Sequence, residues 1–440
     1  MLRRVKNSTG LFYANAAVTV QLTLIKSPPV SRLSIQLSVS GYTLDNDKNR
    51  LVFSMIKVAH ITTGLETGGA EVQLMRLIAA LDHDKFEMMV ISMDRETYLA
   101  DRIRELGVPV HSLTLRKHPF ALWDGYKKLR EFNPDVIHGT MYQGGVFGTL
   151  CSPFLKKRPH VIWTVHEPLE HYDEEPLRKR LQLRLWGKMS GMPECLMYVS
   201  HLNKEQHVPY GFNNSKAIVI PNGVDTTRFM PAREKGLAIR KELGIPEDCI
   251  VIGKTARYHR QKNHEGFLRS AALLAKKHDN VRFMLVGTNV DDKNETLTSL
   301  VKTLGLEGKV YMLGNREDIP DIVNAYDIAT LTSLGEAFPL TLGEAMVSAT
   351  PCVATDVGDN AYIIDDTGYV VPVEDDQAMA DSWEKIVVLS EEERLALGQR
   401  ARQRCLDNFT LEQQTKQHDD LYSTLYRINK RASGLSTATS

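Results

Sequence analysis

Short apolar runs alternate with amphipathic stretches along the chain from Met55 onward. In the first half the apolar runs are MIKVAHIT, FEMMVISM, PDVIHGT, HVIWTVH, CLMYVS and KAIVIPNGVD, and amphipathic segments such as AEVQLMRLIAAL lie between them. Strand-length apolar runs that alternate with helix-length segments are typical of βαβ units, in which helices cover a parallel sheet. The pattern predicts a doubly wound α/β domain over residues 55–224.

The same alternation begins again at CIVIGKT, residues 249–255, and continues through VRFMLVG, KVYML, DIATLTS, PCVATD and GYVVP. Pro221, Asn222 and Gly223 form a turn-like sequence between the two halves. We therefore predict an α/β fold of two Rossmann-like, doubly wound domains that face each other across a cleft, the second over residues 225–408. Ligands in such an arrangement bind between the domains.

The two ends of the chain differ from this pattern. Residues 409–430 predict a C-terminal helix that packs back on the fold, and residues 431–440 are a polar tail. Residues 1–54 are Ser-rich and basic, with no acid before Asp45. They could be a transit peptide, but we favour an extension outside the fold, with a natural start at Met55. No apolar run approaches the roughly 20 residues that a membrane-spanning helix needs.

Composition narrows the class of protein. The 440 residues are 42% apolar and 25% charged, with a formal net charge of +0, so nothing global favours a nucleic-acid partner. Five cysteines are scattered without a Cys-x-x-Cys pair, which argues against a disulfide framework or a zinc site and fits a reducing cytoplasm. The composition predicts a cytoplasmic globular protein.

Two segments of the first half could contact a ligand. In TTGLETGGAEVQLMRL, Gly68 and Gly69 precede a helix, although the spacing is not that of a Gly-x-Gly-x-x-Gly fingerprint. They form either a tight packing turn or, as we favour, a place where a ligand approaches the backbone closely. In TVHEP, His166 ends a strand at the cleft edge, where it is either a structural hydrogen-bonding residue or a functional one.

A basic loop follows the first strand of the second half. In KTARYHRQKN, Arg257 and Lys262 fit a clamp for a diphosphate better than an ordinary solvated loop, because the loop lies at the carboxyl end of a strand. The sequence DND at Asp45 to Asp47 could pass for a metal-binding Asp-x-Asp, but it lies outside both predicted domains. We therefore predict no metal site.

Two glutamates bracket a predicted strand-to-helix turn. In SLGEAFPLTLGEAM, Glu336 and Glu344 are eight positions apart, and Pro339 suits the first turn of a helix. The free N–H groups at such a helix start favour an anion. Carboxylates repel an anion, so we expect each of the two glutamates to bind a part of the ligand other than the phosphate.

A further amphipathic helix, PLRKRLQLRLWGKM, has Leu177, Leu181 and Leu185 on one face with arginines around it. A solvated helix face explains this pattern, and contact with an anionic membrane surface is the alternative.

Together these residues resemble the retaining glycosyltransferases of the group 1 type, known as glycosyltransferase family four, which have the GT-B fold. The resemblance extends from Met55 to about Asn429, and its signature is the E-x7-E spacing of Glu336 and Glu344, with GGAE, PNGVD and the Arg257 and Lys262 pair in order. It implies a nucleotide-sugar donor in the second domain, a glycan or lipid-linked saccharide as acceptor, retention of anomeric configuration, and neither metal nor cofactor.

The resemblance also implies roles for individual residues. Arg257 and Lys262 would hold the donor diphosphate, Glu344 would accept hydrogen bonds from the ribose, Glu336 would contact the transferred sugar, and His166 would lie near the reacting carbon.

The remaining donor-binding residues are implied in the same way. They are Gly68 and Gly69 at the diphosphate and acceptor, the amides around Phe338, Leu340 and Thr341 at the phosphate, and Asn315 and Arg316 at the base.

Two departures from the family pattern bear on the identity of the donor sugar rather than on the reaction. Pro339 stands where many members have Gly, and Gly358-Asp359 stands where a Gly-Gly pair is common. The sequence thus predicts a glycosyltransferase that acts in glycan or polysaccharide biosynthesis. The alternatives are a nucleotide-sugar epimerase, a glycogen-type synthase on the same fold, or a non-catalytic subunit that binds sugar nucleotides.

Overall fold

The structure is a computed structural model that describes residues 55–65, 68–94, 98–115, 120–170, 172 and 175–432, and the backbone of four strands before Met55. These strands are β1 (Val18–Ile25), β2 (Arg32–Val39), β3 (Tyr42–Asp45) and β4 (Arg50–Phe53). β1 pairs with β2 and β3 with β4, each pair antiparallel. Asp47 of the DND sequence lies outside the described residues, and the assignment of residues 1–54 stays a prediction.

The first α/β half forms one parallel sheet of seven strands, in the order β11-β10-β9-β8-β5-β6-β7, from the elements named next. They are β5 (Ile56–Thr62), α1 (Gly69–Ala80), β6 (Phe86–Ser92), α2 (Tyr98–Glu105), β7 (Val110–Ser112), α3 (Ala121–Phe132), β8 (Val136–Thr140), α4 (Met141–Cys151), β9 (His160–Val165), α5 (Leu177–Met189), β10 (Cys195–Tyr198), α6 (His201–Gln206) and β11 (Ala217–Val219). Its strands are apolar along most of their length because helices cover both faces.

The second half forms a parallel sheet of six strands, in the order β14-β13-β12-β15-β16-β17. Its elements are α7 (Arg233–Glu242), β12 (Ile250–Thr255), α8 (His264–Ala275), β13 (Val281–Val286), α9 (Glu295–Thr303), β14 (Val310–Met312), α10 (Ile319–Val323), β15 (Ile328–Leu331), α11 (Leu340–Val347), β16 (Cys352–Thr355), α12 (Asn360–Ile364), β17 (Gly368–Val371), α13 (Asp376–Val387) and α14 (Glu391–Asn408). The predicted fold class of two Rossmann-like α/β domains is confirmed.

The chain crosses between the two sheets twice, at neighbouring points. The Val224 N–H donates to the Phe409 carbonyl over 2.8 Å, and the Leu411 N–H donates to the Val224 carbonyl over 2.8 Å. A Cβ on Gly223 would come within 2.6 Å of the Leu411 Cα, so only glycine fits at this approach. The turn that the sequence placed between the halves is therefore packed against the returning chain.

The last helix, α15 (Leu411–Ala432), covers the first sheet. Its Tyr422 hydroxyl lies 2.6 Å from Nδ1 of His138 on β8. Gln414 binds the Gly223 N–H over 3.1 Å and also accepts a hydrogen bond from Gln73 on α1. Within the described ranges, no helix is both long enough and apolar enough to cross a membrane.

Candidate active site

Two loops of the second half join at the carboxyl ends of the neighbouring strands β12 and β15. The loop after β12 contains a short 3-10 turn, Arg260–Lys262. Its Gln261 carbonyl accepts the Leu334 N–H over 2.8 Å, and the Gln261 side chain donates to the Gly335 carbonyl over 2.8 Å. The basic loop is thereby fixed against the segment that carries Glu336.

Glu336 receives two side-chain donors on a single oxygen. Lys262 Nζ donates to Oε1 of Glu336, and Ser333 Oγ donates to the same atom over 2.7 Å. The carboxylate is buried, whereas the Arg257 side chain at the start of the basic loop is exposed. The structure therefore brings Lys262 and Glu336, which the sequence selected separately, into one ion pair.

Helix α11 starts beside this pair, with Pro339 as its N-cap residue. Its first N–H groups, including those of Leu340 and Thr341, have no acceptor within the helix, as at any helix start. Phe338 is buried, its ring lies edge-on to Phe409 at 5.5 Å, and its carbonyl accepts the Asn222 side chain over 3.1 Å. Phe338 thus anchors the turn through its side chain.

Glu344 lies on the second turn of α11 and pairs with a residue of the other half. Arg76 Nη2 on α1 donates to its Oε1 over 3.0 Å, and both side chains are buried, at 9% and 8% exposure. The Arg76 Nη1 atom is buried without a partner. The sequence pattern gives no sign of this role for Arg76, since an arginine on an amphipathic helix normally indicates a solvated face.

Gly68 and Gly69 form the start of α1, with Gly68 as N-cap residue. A Cβ built on Gly69 would meet no atom within 4 Å, so open space borders the backbone here. The next residue, Ala70, lines a small cavity of about 20 Å³ together with Gln73 and His166. A cavity of this size holds about one water molecule.

His166 directly follows β9 and is half-buried. Desolvation, with a smaller contribution from nearby His418, lowers its pKa to about 4. The imidazole is therefore neutral at pH 7, where it can both donate and accept a hydrogen bond.

Three further histidines were not selected from the sequence, and two of them, His138 and His418, line this cavity. His60 on β5 is opposite His138 on β8, with ring centroids 5.3 Å apart, and His418 of α15 lies 5.8 Å from His138. Burial lowers the pKa of His60 to about 3 and that of His418 to about 4, and it also lowers the pKa of His138. Both ring nitrogens of His60 are buried without a partner.

Asn315 and Arg316 lie apart from these contacts. Arg316 forms a two-pronged pair with Asp318, at 2.8 and 2.6 Å, and a third bond to Glu242 over 3.1 Å. The hydrogen bonds that Arg316 donates to these carboxylates raise its pKa. Asn315 is exposed. The structure does not bring Arg316 into contact with Lys262, Glu336 or Glu344, and its role at the base stays a prediction.

The Gly358-Asp359 departure from the family pattern has a structural reason. Asp359 accepts hydrogen bonds from the Ser200 hydroxyl over 2.8 Å and from the N–H groups of His201 and Leu202 over 2.7 and 3.0 Å, at the start of α6. Gly358 has φ +53, and a Cβ there would lie 2.3 Å from the Glu336 carbonyl. Asp359 therefore links the second half to the first.

A metal site does not emerge from this geometry. Among the side chains that the structure describes, no three His, Cys, Asp or Glu residues group as ligands for an ion. The charged groups beside the start of α11 are instead two ion pairs, Lys262 with Glu336 and Arg76 with Glu344.

Two Rossmann-like domains with this arrangement of parallel sheets have the GT-B fold. Residues 67–228 match the profile of Glycosyltransferase Family 4, and residues 237–404 match that of Glycosyl transferases group 1. The chain is 32% identical to the putative glycosyltransferase EpsF of Bacillus subtilis over 324 residues, which cover 69% of this chain and 80% of that relative. It belongs to the group 1 glycosyltransferases of family 4, which confirms the resemblance in the sequence.

A second relative and a solved structure are also similar to this chain. The Escherichia coli UDP-Gal:alpha-D-GlcNAc-diphosphoundecaprenol alpha-1,3-galactosyltransferase is 25% identical over 393 residues, covering 86% of this chain and 99% of that relative. The crystal structure of HepE from Anabaena in complex with UDP superposes with a TM-score of 0.74 at 20% identity, covering 84% of this chain and 100% of that chain, which supports the fold. The chain is a glycosyltransferase of glycan or polysaccharide biosynthesis.

Proposed function

We propose that this enzyme transfers a hexosyl or related group from a nucleoside diphosphate sugar to a hydroxyl of a lipid-linked saccharide, with retention of configuration and without a metal. The observation that carries the proposal is the contact of Lys262 and Ser333 with Glu336 beside the start of α11. UDP is the first nucleotide to test, because the related galactosyltransferase is named for UDP-Gal and HepE binds UDP.

In this proposal Arg257, Lys262 and the amides at the start of α11 stabilise the departing diphosphate. Preorganised cations and N–H groups at a developing charge are the usual means of such catalysis. The basic pair takes the place of a metal ion. Pro339 supplies no N–H, so the amides of Leu340 and Thr341 carry the phosphate contact at this turn.

The two glutamates address opposite ends of the donor. Glu344 lies five residues beyond Pro339, which is about 7.5 Å along the helix axis at 1.5 Å per residue. With the diphosphate at the helix start, Glu344 reaches the ribose and Glu336 the transferred sugar. Neutral His166 stabilises the sugar end without opposing the positive charge that develops on the reacting carbon.

Substitution of each residue tests these separate roles. We expect Glu344→Gln to weaken binding of UDP alone, whereas Glu336→Gln and His166→Ala leave UDP binding intact and lower turnover. A charge-assisted hydrogen bond to a hydroxyl contributes about 1.5–3 kcal/mol. Calorimetry with UDP and kinetics with UDP-sugars separate these outcomes in folded variants. Equal loss of UDP affinity in all three variants contradicts the assignment.

Product analysis completes the test. Nuclear magnetic resonance of the product from an α-linked donor should show an α-linkage, and a β-linked product contradicts retention. Donor turnover without acceptor would favour an epimerase, and extension of a glucan primer would favour a glycogen-type synthase. Nucleotide binding without any turnover would favour a non-catalytic subunit.

We also propose that the enzyme is cytoplasmic and contacts the anionic cytoplasmic membrane surface through α5. Leu177, Leu181 and Leu185 are 67%, 55% and 58% exposed, and arginines flank them. Apolar side chains flanked by cations bind anionic lipid surfaces. Sedimentation with vesicles containing phosphatidylglycerol should retain the wild type and lose a Leu177→Ser, Leu181→Ser, Leu185→Ser variant, whereas equal retention of both contradicts this contact.

A further inference from the structure

A lysine lies beneath the basic loop, in the interior of the second domain. Lys254, on β12, is fully buried. Its Nζ donates to the Lys262 carbonyl over 2.5 Å and to the Thr332 hydroxyl over 2.6 Å. Its ammonium group therefore binds the backbone of the residue whose side chain reaches Glu336.

Thr332 extends this contact along the loop. Its hydroxyl accepts from Lys254 and donates to the Asn263 carbonyl over 2.7 Å. The Lys254 ammonium and the Thr332 hydroxyl thus bind two successive carbonyls at the end of the 3-10 turn, those of Lys262 and Asn263. Asn263 itself has φ 47, in the left-handed region that asparagine tolerates, and its side chain accepts the Gly266 N–H at the start of α8.

The contact is costly for stability. Both hydrogen-bond partners of the ammonium are neutral oxygens, and no ion pair involves Lys254 among the residues that the structure describes. Desolvation and then nearby Lys262 lower its pKa to about 7, while Glu336 and Glu265 act in the opposite sense. His264 also faces it, and its own pKa is lowered to about 3 by burial and then by Lys254. Replacing buried charged groups with apolar side chains of similar volume is often neutral or stabilising.

We infer that Lys254 is a positioning residue. It holds the loop around Lys262 in the conformation that presents the Lys262 ammonium to the donor diphosphate. The inference rests on the proposed function, because it takes Lys262 as a diphosphate ligand. A buried amine that stabilises a binding loop while its desolvation destabilises the fold exchanges stability for function. A structural lysine would instead support the fold itself.

The test is Lys254→Met, which keeps an unbranched side chain one atom shorter and removes the ammonium. We expect an unchanged or higher melting temperature, a Kd for UDP raised about tenfold, a raised KM for the UDP-sugar and an unchanged KM for the acceptor. Binding of UMP, which lacks the second phosphate, should change less than binding of UDP. Lys302→Met, an exposed lysine on α9, is the matched control and should change none of these values.

A lower melting temperature with unchanged UDP affinity overturns the inference, because it assigns Lys254 to the fold alone. If Lys254→Met does not fold, Thr332→Val decides: UDP affinity should fall, and unchanged affinity overturns the inference. Failure of the proposed function gives a different result, since the wild-type protein would then bind no nucleoside diphosphate in the same calorimetry.

Discussion

Substitution of His60 by leucine should stabilise the protein, and more strongly in acid. His60 is fully buried, and neither of its ring nitrogens has a hydrogen-bond partner. A buried polar group without a partner costs about 1–3 kcal/mol. Leucine fills similar space without that cost, so His60→Leu should raise the free energy of unfolding at pH 7.5 by about 1 kcal/mol or more.

The dependence on pH follows from the lowered pKa of His60, which is about 3 in the folded protein. An unfolded histidine titrates near 6.5, so the unfolded state binds a proton below that pH and the folded state does not until pH 3. The free energy of unfolding therefore loses nothing to His60 above pH 6.5. As the pH falls from 6.5 toward 3, protonation of His60 in the unfolded state lowers it progressively. At pH 5 the difference amounts to about 2 kcal/mol for this one residue.

Urea unfolding of the wild type and of His60→Leu at pH 7.5 and pH 5.0 measures this effect. Any packing strain from leucine adds equally at both pH values, so the gain in free energy between them should remain about 2 kcal/mol. His201→Leu, at an exposed position, is the control and should show no such gain. A His60→Leu variant with the same difference from wild type at both pH values refutes the reasoning.

Three further predictions concern the link between the domains, the diphosphate site and the N-terminal segment. Arg76→Met should lower the free energy of unfolding by about 3 kcal/mol, because it leaves Glu344 buried without its partner; a double variant that also carries Glu344→Met should recover most of the loss in urea unfolding, and additive losses contradict this. A chelator should leave turnover within about twofold of its starting value if cations bind the diphosphate, whereas activity abolished by the chelator and restored by magnesium or manganese contradicts the metal-free site. Residues 55–440 expressed alone should fold and turn over like the full chain, since the predicted βαβ pattern begins at Met55; circular dichroism and activity check this, and loss of folding would place the preceding segment in the domain.

Much of the fold could be predicted because its strands and helices depend on local sequence patterns. Strand-length apolar runs and amphipathic helices are properties of neighbouring residues, so both sheets were expected from the sequence alone. The pair of Glu336 and Lys262 could be anticipated for a related reason: parallel strands end at one edge of a sheet, so the loops that follow β12 and β15 must meet there.

The contacts that the sequence did not predict join residues far apart in the chain. Arg76 and Glu344 are separated by 268 positions, and Asp359 and Ser200 by 159. Nothing in an amphipathic pattern distinguishes a solvated arginine from one that is buried against the other domain. Lys254 was missed for the same reason, because the head group of a lysine is usually placed in water.

The second half of the fold is one continuous segment of the chain between two neighbouring crossings. The chain leaves the first domain at Val224 and returns at Leu411, and these two residues are joined by a 2.8 Å hydrogen bond. The ends of the intervening segment therefore coincide in space, which is the arrangement that lets a domain be inserted into another or exchanged with little disturbance of its host. Grafting residues 225–410 of this chain into a relative would move the proposed diphosphate clamp and both glutamates together. Correct packing of the graft would then depend on whether the host supplies partners for Glu344 and Asp359.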